Sequence, residues 1–376
     1  MSHVKVQVPA MKSFCMEVFE KFGFTEEESR IITGVLLMAD VYGIESHGAQ
    51  RLVRYHKGIQ SGMIKVDAKP EVVFETPVSA VIDGHEGMGQ LIGHFAMELA
   101  IKKAKTAGIG IVTVRESNHY GIAGYYAKMA CDEGLIGISS TNSEAIVVPT
   151  FGKQAMLGTN PIAFAMPADP YPFLFDASTS IVTRGKFEMY NKAEKPVPEG
   201  WGVDENGHPC TDPGRVLSNI KAHAGGGISP LGGASELTGS HKGYGNAMVA
   251  EIFTSILSMG MTSNYNLLNG HGGTCHLCAA IDPAIFGDKD AIIAHLSTFL
   301  EELRESPKRE GHDRIYTHGE KEVFAEKDRL VNGIDVDVKT LEEMEDCAEY
   351  TGVDFNKYFG NLGVKVHFDP SEHTQY

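Results

Sequence analysis

The sequence predicts a mixed α/β (α+β) protein of at least two lobes, and three observations carry that expectation. A β-branched run, Gly110-Ile-Val-Thr-Val-Arg115, has the composition of a buried strand, and the small residues and alanines after it read as a helix that ends at Gly134. With that run at 109–115, strand-like segments lie at 135–141, 161–167 and 172–176, with helices expected at 119–132 and 180–193. The first 70 or so residues instead follow the helical period, and a chain of 376 residues is long enough to bury a large core and divide.

Composition narrows the function. A formal charge of −16 with no dense basic stripe argues against a nucleic-acid partner. Six cysteines in so long a chain are not a disulfide framework. No apolar signal core opens the chain, and no stretch approaches 18 uninterrupted apolar residues. The expectation is a soluble, cytoplasmic protein with no membrane partner.

In chain order, Pro9 is placed for the first turn of a helix through Phe14, Val18 and Phe19, closed by Gly23. Thr25 and Glu28 form a capping box ahead of a helix bearing Ile31, Ile32, Val35 and Leu36. Ser46 is a candidate N-cap for a helix running to Gly58, which would set His47 and Arg51 on one face of its first turns. A cation there opposes the helix dipole, so Arg51 serves either a structural carboxylate or a ligand. Glu71–Phe74 and Ala80–Asp83 alternate like strands, and the boundary of the helical part is expected near 70.

Four polar knots follow, each at the edge of an apolar segment: Glu116 to His119, Ser139 to Ser143, Leu157 to Pro161 and Phe175 to Ser180. One such knot is a turn, whereas four at successive strand ends predict loops collected round a pocket. His119 reads either as a loop-bonded histidine at a helix start or as a ligand contact. Asp176 reads as a site carboxylate or as the cap of the helix behind it, with Thr179 the alternative cap. Residues 195–240, rich in Gly and Pro, are expected to form a surface excursion or lid, since Gly225 to Gly233 lacks the Gly-Lys-Ser/Thr ending of a phosphate loop.

His241-Lys-Gly-Tyr-Gly245 opens a helix whose expected core face is Met248, Ile252, Ile256 and Leu257. Lys242 at its positive end points to a ligand anion or to a plain surface lysine. Cys275-His-Leu-Cys278 lies in an apolar run without a second cysteine pair, so buried thiols are expected there and no metal. The tail from 286 should hold a helix at about 290–305, a charged turn from Glu305 to Arg314, and a capping box at Thr340 and Glu343. Its last twenty residues look loosely attached.

Taken together, several blocks resemble the second type of malate/L-lactate dehydrogenase, a family that includes sulfolactate, ureidoglycolate and 2,3-diketo-L-gulonate enzymes. They are Asp40…Gly43-x-x-Ser46-His47-Gly48-x-x-Arg51, Ser117-Asn-His-Tyr-Gly121, Leu157-Gly-Thr-Asn-Pro-Ile162, Phe175-Asp-Ala-Ser-Thr-Ser180, His241-Lys-Gly-Tyr-Gly245 and Ala280-Ile-Asp-Pro283. The match runs in order over roughly residues 9 to 330. The resemblance implies a non-Rossmann NAD(P)-binding lobe with a mixed sheet (71–285), and a helical lobe built from the chain ends (1–70 with 286–376). It also implies a homodimer with shared active sites. Departures are Cys275 and Cys278 in a strand often aromatic in relatives, the length and glycine content of the 195–235 segment, and Arg314-Ile-Tyr-Thr-His-Gly-Glu320, where relatives carry a compact Arg-x-Pro-Gly-Glu.

The implied reaction interconverts a small 2-hydroxy acid and its 2-oxo acid with NAD or NADP. It needs a proton donor, a carboxylate clamp and a placed nicotinamide. The resemblance carries catalytic histidines onto His47 and His119. His47 is preferred as the proton donor, with Ser46 beside it, Arg51 on the substrate carboxylate and Asp176 orienting a histidine. His119, Tyr120, Gly121, Ser143, Thr159, Asn160, Ser178 and Lys242 are the implied cofactor contacts. Lys242, Arg184 or a helix amino end at Ser117–Tyr120 is the expected partner of a second carboxylate, which favours malate over lactate. Alternatives are sulfolactate, lactate or ureidoglycolate oxidation, cyclic imino acid reduction, or a cofactor-binding sensor or structural oligomer without turnover.

Overall fold

A computed structural model describes residues 3–267 and 272–360. In chain order its elements are β1 (His3–Val6), α1 (Val8–Lys21), α2 (Glu26–Val41), α3 (Leu52–Gln60), β2 (Glu71–Glu75), β3 (Ser79–Asp83), α4 (Gly89–Ala107), β4 (Ile109–Ser117), α5 (Ala123–Asp132), β5 (Ile136–Thr141), β6 (Ile162–Met166) and β7 (Phe173–Ala177). They continue as α6 (Arg184–Lys192), β8 (Gly202–Val203), α7 (Pro213–Ala222), β9 (Gly227–Ile228), α8 (Ser240–Glu251), β10 (Thr274–Ile281), α9 (Lys289–Glu305), α10 (Glu320–Asn332), β11 (Ile334–Asp337), α11 (Val338–Thr351) and α12 (Phe355–Phe359). Among the described residues, no helix is long and apolar enough to cross a membrane. Contacts divide the chain into residues 1–60 with 324–376, and residues 61–323.

The smaller unit is helical with one two-stranded ribbon, β1 against β11, antiparallel from His3↔Asp337 to Val6↔Ile334. Pro9 stands in the first turn of α1, and Thr25 and Glu28 cap α2 reciprocally. Phe14, Val18 and Phe19 of α1 and Ile32, Val35 and Leu36 of α2 are buried. Phe14 also meets the Phe355 and Phe359 rings at 5.7 and 5.0 Å, which ties α12 down. Of the last twenty residues, those from 361 onward lie outside the described residues. The expected capping box at Thr340 is replaced by Asp337, whose carboxylate accepts the Lys339 N–H, and Thr340 is buried inside α11.

The larger unit is built on a mixed seven-stranded sheet of order β2-β3-β4-β10-β5-β6-β7. Only β3 and β4 run parallel; every other neighbour pair is antiparallel. The strand of this sheet that comes last in sequence, β10, fills the centre between β4 and β5, with Thr274 to Ala280 buried. Cys275 and Cys278 lie there with thiols pushed up to about 12, chiefly by burial, as small core residues. Residues 286–323 belong to this unit and not to the helical one. The Leu174 N–H donates to the His318 carbonyl at 3.1 Å and the Asp169 N–H to Ser297 Oγ at 2.9 Å.

The segment 195–240 is no surface excursion. Phe187, Val197, Val216, Ile220 and Ile228 pack with Val147 into a core of their own, and Ile228 to Pro230 are buried. At Gly226, Gly227 and Gly232 other main chain lies so close that a Cβ would come within 2.5–2.7 Å of it. The expected core face of α8 is also reversed. Met248, Ile252, Ile256 and Leu257 are 37–50% exposed, while Gly243, Ala247, Ala250 and Glu251 face inward. Small residues and one acid suit the inner side because polar loop residues lie against it.

Candidate active site

Register places the four polar knots together. Ser117 pairs with Thr274, Thr141 with His276, Ser140 with Ile162 and Ile162 with Ala177. The ends of β4, β5 and β7 and the starts of β6 and β10 therefore meet at one end of the sheet. The loops that leave there are laced to one another. The Thr159 N–H donates to Ser143 Oγ at 3.2 Å, and the Thr179 N–H to the Thr159 carbonyl at 2.9 Å.

His119 lies in the loop between β4 and α5, not in a helix, because α5 begins only at Ala123. Its main chain is held from three sides. Asn118 donates its amide to the carbonyls of Met63, Glu86 and Gly87 at 2.9–3.1 Å. Gly89 presses on the Asn118 and His119 carbonyls so closely that a Cβ would come within 2.2 Å, so only glycine fits. His276 takes Ser117 Oγ on Nε2 and Thr141 Oγ1 on Nδ1, both at 2.8 Å. Burial lowers the His276 pKa to about 3, so the ring is neutral and bridges the ends of β4 and β5.

Tyr120 stacks between His276 and Tyr126, with centroids 4.2 and 4.5 Å away, and its hydroxyl bonds Ser139 Oγ at 3.0 Å. It is 1% exposed, so its side chain supports the loop and offers no face to a cofactor, contrary to expectation. Asn160 is corrected likewise. It is fully buried, and its amide donates to Glu251 Oε2 at 2.8 Å and to the Ala247 carbonyl at 3.2 Å. Ser143, Thr159 and Ser178 keep partial exposure, and Gly121, at φ +88°, is buried.

Asp176, on β7, does not cap the helix behind it, which starts only at Arg184. Its Oδ2 accepts the Gly124 N–H of α5 at 2.7 Å. Some solvent access remains, but crowding by protein pushes its carboxyl up to about 6, against the pull of that N–H. Lys242 is exposed in the first turn of α8, with no ion pair among the described residues. Arg184 is engaged, with Glu188 at 3.1 Å and Glu144 at 3.8 Å.

In the smaller unit, Ser46 caps no helix. Two 3-10 turns, Glu45–His47 and Ala49–Arg51, replace the first turns expected, so His47 and Arg51 do not share an α-helical face. The cause is Gly48, whose extended backbone lies against the Asp40 carboxylate where a Cβ would come within 1.7 Å. Asp40 Oδ2 accepts the Ala49 N–H at 2.8 Å, while Arg329 donates to the Asp40 carbonyl at 2.7 Å and pairs with Glu45 at 3.0 Å. On this frame Ser46 Oγ and His47 Nδ1 are 2.9 Å apart, and Arg51 Nε donates to the Ser46 carbonyl at 2.6 Å. Burial, then Arg51 and Arg54, lower the His47 pKa to about 3, so the imidazole is neutral at ordinary pH.

Reading the sequence missed His276, Glu251, Asn118 and Asn142. The available signal was a lone polar residue inside an apolar or small-residue run, as with His276 in Cys275–Ile281 and Glu251 in Met248–Phe253. In chemical terms, the smaller unit carries a neutral base beside a guanidinium. The larger unit carries hydroxyls, loop N–H groups and an exposed lysine at a helix amino end. Hydroxyls with a lysine and a helix start suit an anionic dinucleotide.

A sequence profile of the malate/L-lactate dehydrogenases matches residues 6–345. Malate dehydrogenase of Pyrococcus horikoshii is 44% identical over 94% of this chain and 97% of its own length. L-sulfolactate dehydrogenase of Methanocaldococcus jannaschii is 35% identical over 92% and 97%. Among solved structures, malate dehydrogenase from Entamoeba histolytica superimposes with a TM-score of 0.90 at 38% identity, covering 94% of this chain and 99% of that one.

Proposed function

The chain belongs to the malate/L-lactate dehydrogenase family, and on that premise we propose that it oxidises malate to oxaloacetate, reversibly, with NAD or NADP. Relatives named as malate, sulfolactate and ureidoglycolate dehydrogenases support a dehydrogenase acting on hydroxy acids. The choice of malate rests on the relative at 44% identity that bears that name.

The observation that carries the mechanism is the Ser46–His47–Arg51 turn, a neutral imidazole held beside a guanidinium whose Nε is anchored. Arg51 grips the C1 carboxylate of the acid, and His47 takes the hydroxyl proton as C2 is oxidised. Substrate binding sets an anion beside Arg51, one of the charges that hold the His47 pKa down, so the histidine becomes a better base when occupied. In the reverse direction His47 returns the proton to the carbonyl oxygen. The bound nicotinamide supplies the hydride chemistry. Ser143, Thr159, Ser178, Lys242 and the partly exposed His119 would hold it, and Asp176 acts as the orienting carboxylate.

Arg184, already shared by Glu188 and Glu144, is a poor partner for a second substrate carboxylate. The amino end of α5 or Lys242 takes that role in this reading. The outward apolar face of α8 and the π-turn after it, Ile252–Ile256, supports a homodimer, since a row of exposed Ile, Phe, Leu and Met is costly to leave in water.

The test is a panel of malate, lactate, sulfolactate and ureidoglycolate, each with NAD and NADP, compared by kcat/KM. Malate should lead lactate by at least about tenfold, roughly 1.4 kcal/mol of transition-state binding. A lactate preference discards malate, and no turnover with any of the four discards the reaction.

A further inference from the structure

We propose that Glu251, the last residue of α8, is a positioning residue for the loops that hold the cofactor. The inference rests on the nicotinamide-dependent reading above. Glu251 is 4% exposed, and no cation pairs with it among the described residues. Five neutral donors take the place of a counter-charge. Oε1 accepts Asn142 Nδ2 at 3.2 Å, Ser255 Oγ at 2.8 Å and the Ser263 N–H at 2.8 Å. Oε2 accepts Asn160 Nδ2 at 2.8 Å and Ser263 Oγ at 2.6 Å.

Two of these donors matter most. Asn142 immediately precedes Ser143, and Asn160 immediately follows Thr159. Ser143 and Thr159 are the partly exposed residues that the proposed site uses, and they are bonded to each other. One carboxylate thus clamps the neighbours of both, and Asn160 is held with φ +34°, a conformation that needs outside support. The π-turn Ile252–Ile256 starts at the next residue and carries Ser255, one of the five donors. A charge buried at this cost is expected where it organises something the fold alone does not require.

An amide cannot replace the acid. In Glu251→Gln the amide oxygen can keep Asn142, Ser255 and the Ser263 N–H, and Ser263 Oγ can turn to accept. The new N–H₂ then faces Asn160 Nδ2, donor against donor, so the change falls on the Thr159–Asn160 loop.

The experiment titrates the full-length protein with NADH and NADPH by fluorescence without substrate, and records the thermal midpoint. Glu251→Gln should weaken cofactor binding about tenfold, the scale of a lost hydrogen bond to a charged group. The KM for the 2-hydroxy acid at saturating cofactor should stay within about twofold. Ser263→Ala, which removes that hydroxyl's contact with Oε2 and its long one with Asn160 Oδ1 at 3.4 Å but keeps the carboxylate, should shift affinity the same way by less, and it decides the matter should Glu251→Gln not fold. Unchanged cofactor affinity in the folded variants, with or without a lower thermal midpoint, overturns the inference. Failure of the wild-type protein to bind either dinucleotide overturns the cofactor reading itself.

Discussion

The carboxylate of Asp176, near the end of β7, accepts the N–H of Gly124 in the first turn of α5 at 2.7 Å. It joins the strand at one side of the sheet to the helix that follows the His119 loop, and it does so with a carboxyl pushed up to about 6. Asparagine offers the same acceptor to Gly124 without the charge. Asp176→Asn should therefore keep the fold, cut kcat roughly 10–100-fold, and abolish any acid limb near pH 6. A pH–rate profile that is unchanged in shape and height would refute an orienting role.

The two histidines should separate by the parameter each one moves. His47→Asn is expected to leave cofactor affinity within a few-fold and to reduce turnover by about 10²–10⁴. His119→Asn should lower turnover and cofactor affinity together. Steady-state kinetics with a fluorescence titration tells them apart, and near-normal turnover in His47→Asn alone would reverse the assignment.

Assembly is tested on the outward face of the π-turn. Ile252 and Ile256 are 42% and 50% exposed, so glutamates there strain no core. The native chain should sediment as a dimer, and the Ile252→Glu/Ile256→Glu variant as a folded monomer with weakened activity. A fully active native monomer at assay concentration is the contrary result.

Asp40 should make stability depend on pH. Burial, opposed by the Ala49 N–H and Arg329, pushes its carboxyl up to about 7, against about 3.9 in an unfolded chain. Between those values the native chain holds a proton that the unfolded chain has released. That favours the native state fully below about pH 3.9 and ceases as pH rises through about 7. Asp40→Asn can still accept the Ala49 N–H and has no proton to lose. Urea midpoints at pH 5.5 and 8 should therefore fall more for the wild type than for the variant, and equal falls would contradict the raised pKa.

Local chemistry made much of this chain legible in its sequence. The Thr25–Glu28 capping box, Pro9 at the start of α1 and the strands after Gly108 depend on neighbours within a few residues, and they appear where expected. The four knots at strand ends were legible too, since polar residues at the edge of a buried strand have few other uses. What failed were inferences about partners distant in sequence. Apolar spacing in Met248–Leu257 said that one face avoids water but not which face the core would take. The close approach of Asp40 to Gly48, eight residues on, broke a helix that Ser46 alone would have started. Tyr120 and Asn160 carried the signature of ligand contacts, yet β10 returning through the centre of the sheet brought His276 against the first, and α8 brought Glu251 against the second. Sequence determined the elements and the chemistry of the loops, because those energies are local. Tertiary structure decided which polar side chains were used up inside and which were left for a ligand, because a hydrogen bond has no fixed separation along the chain.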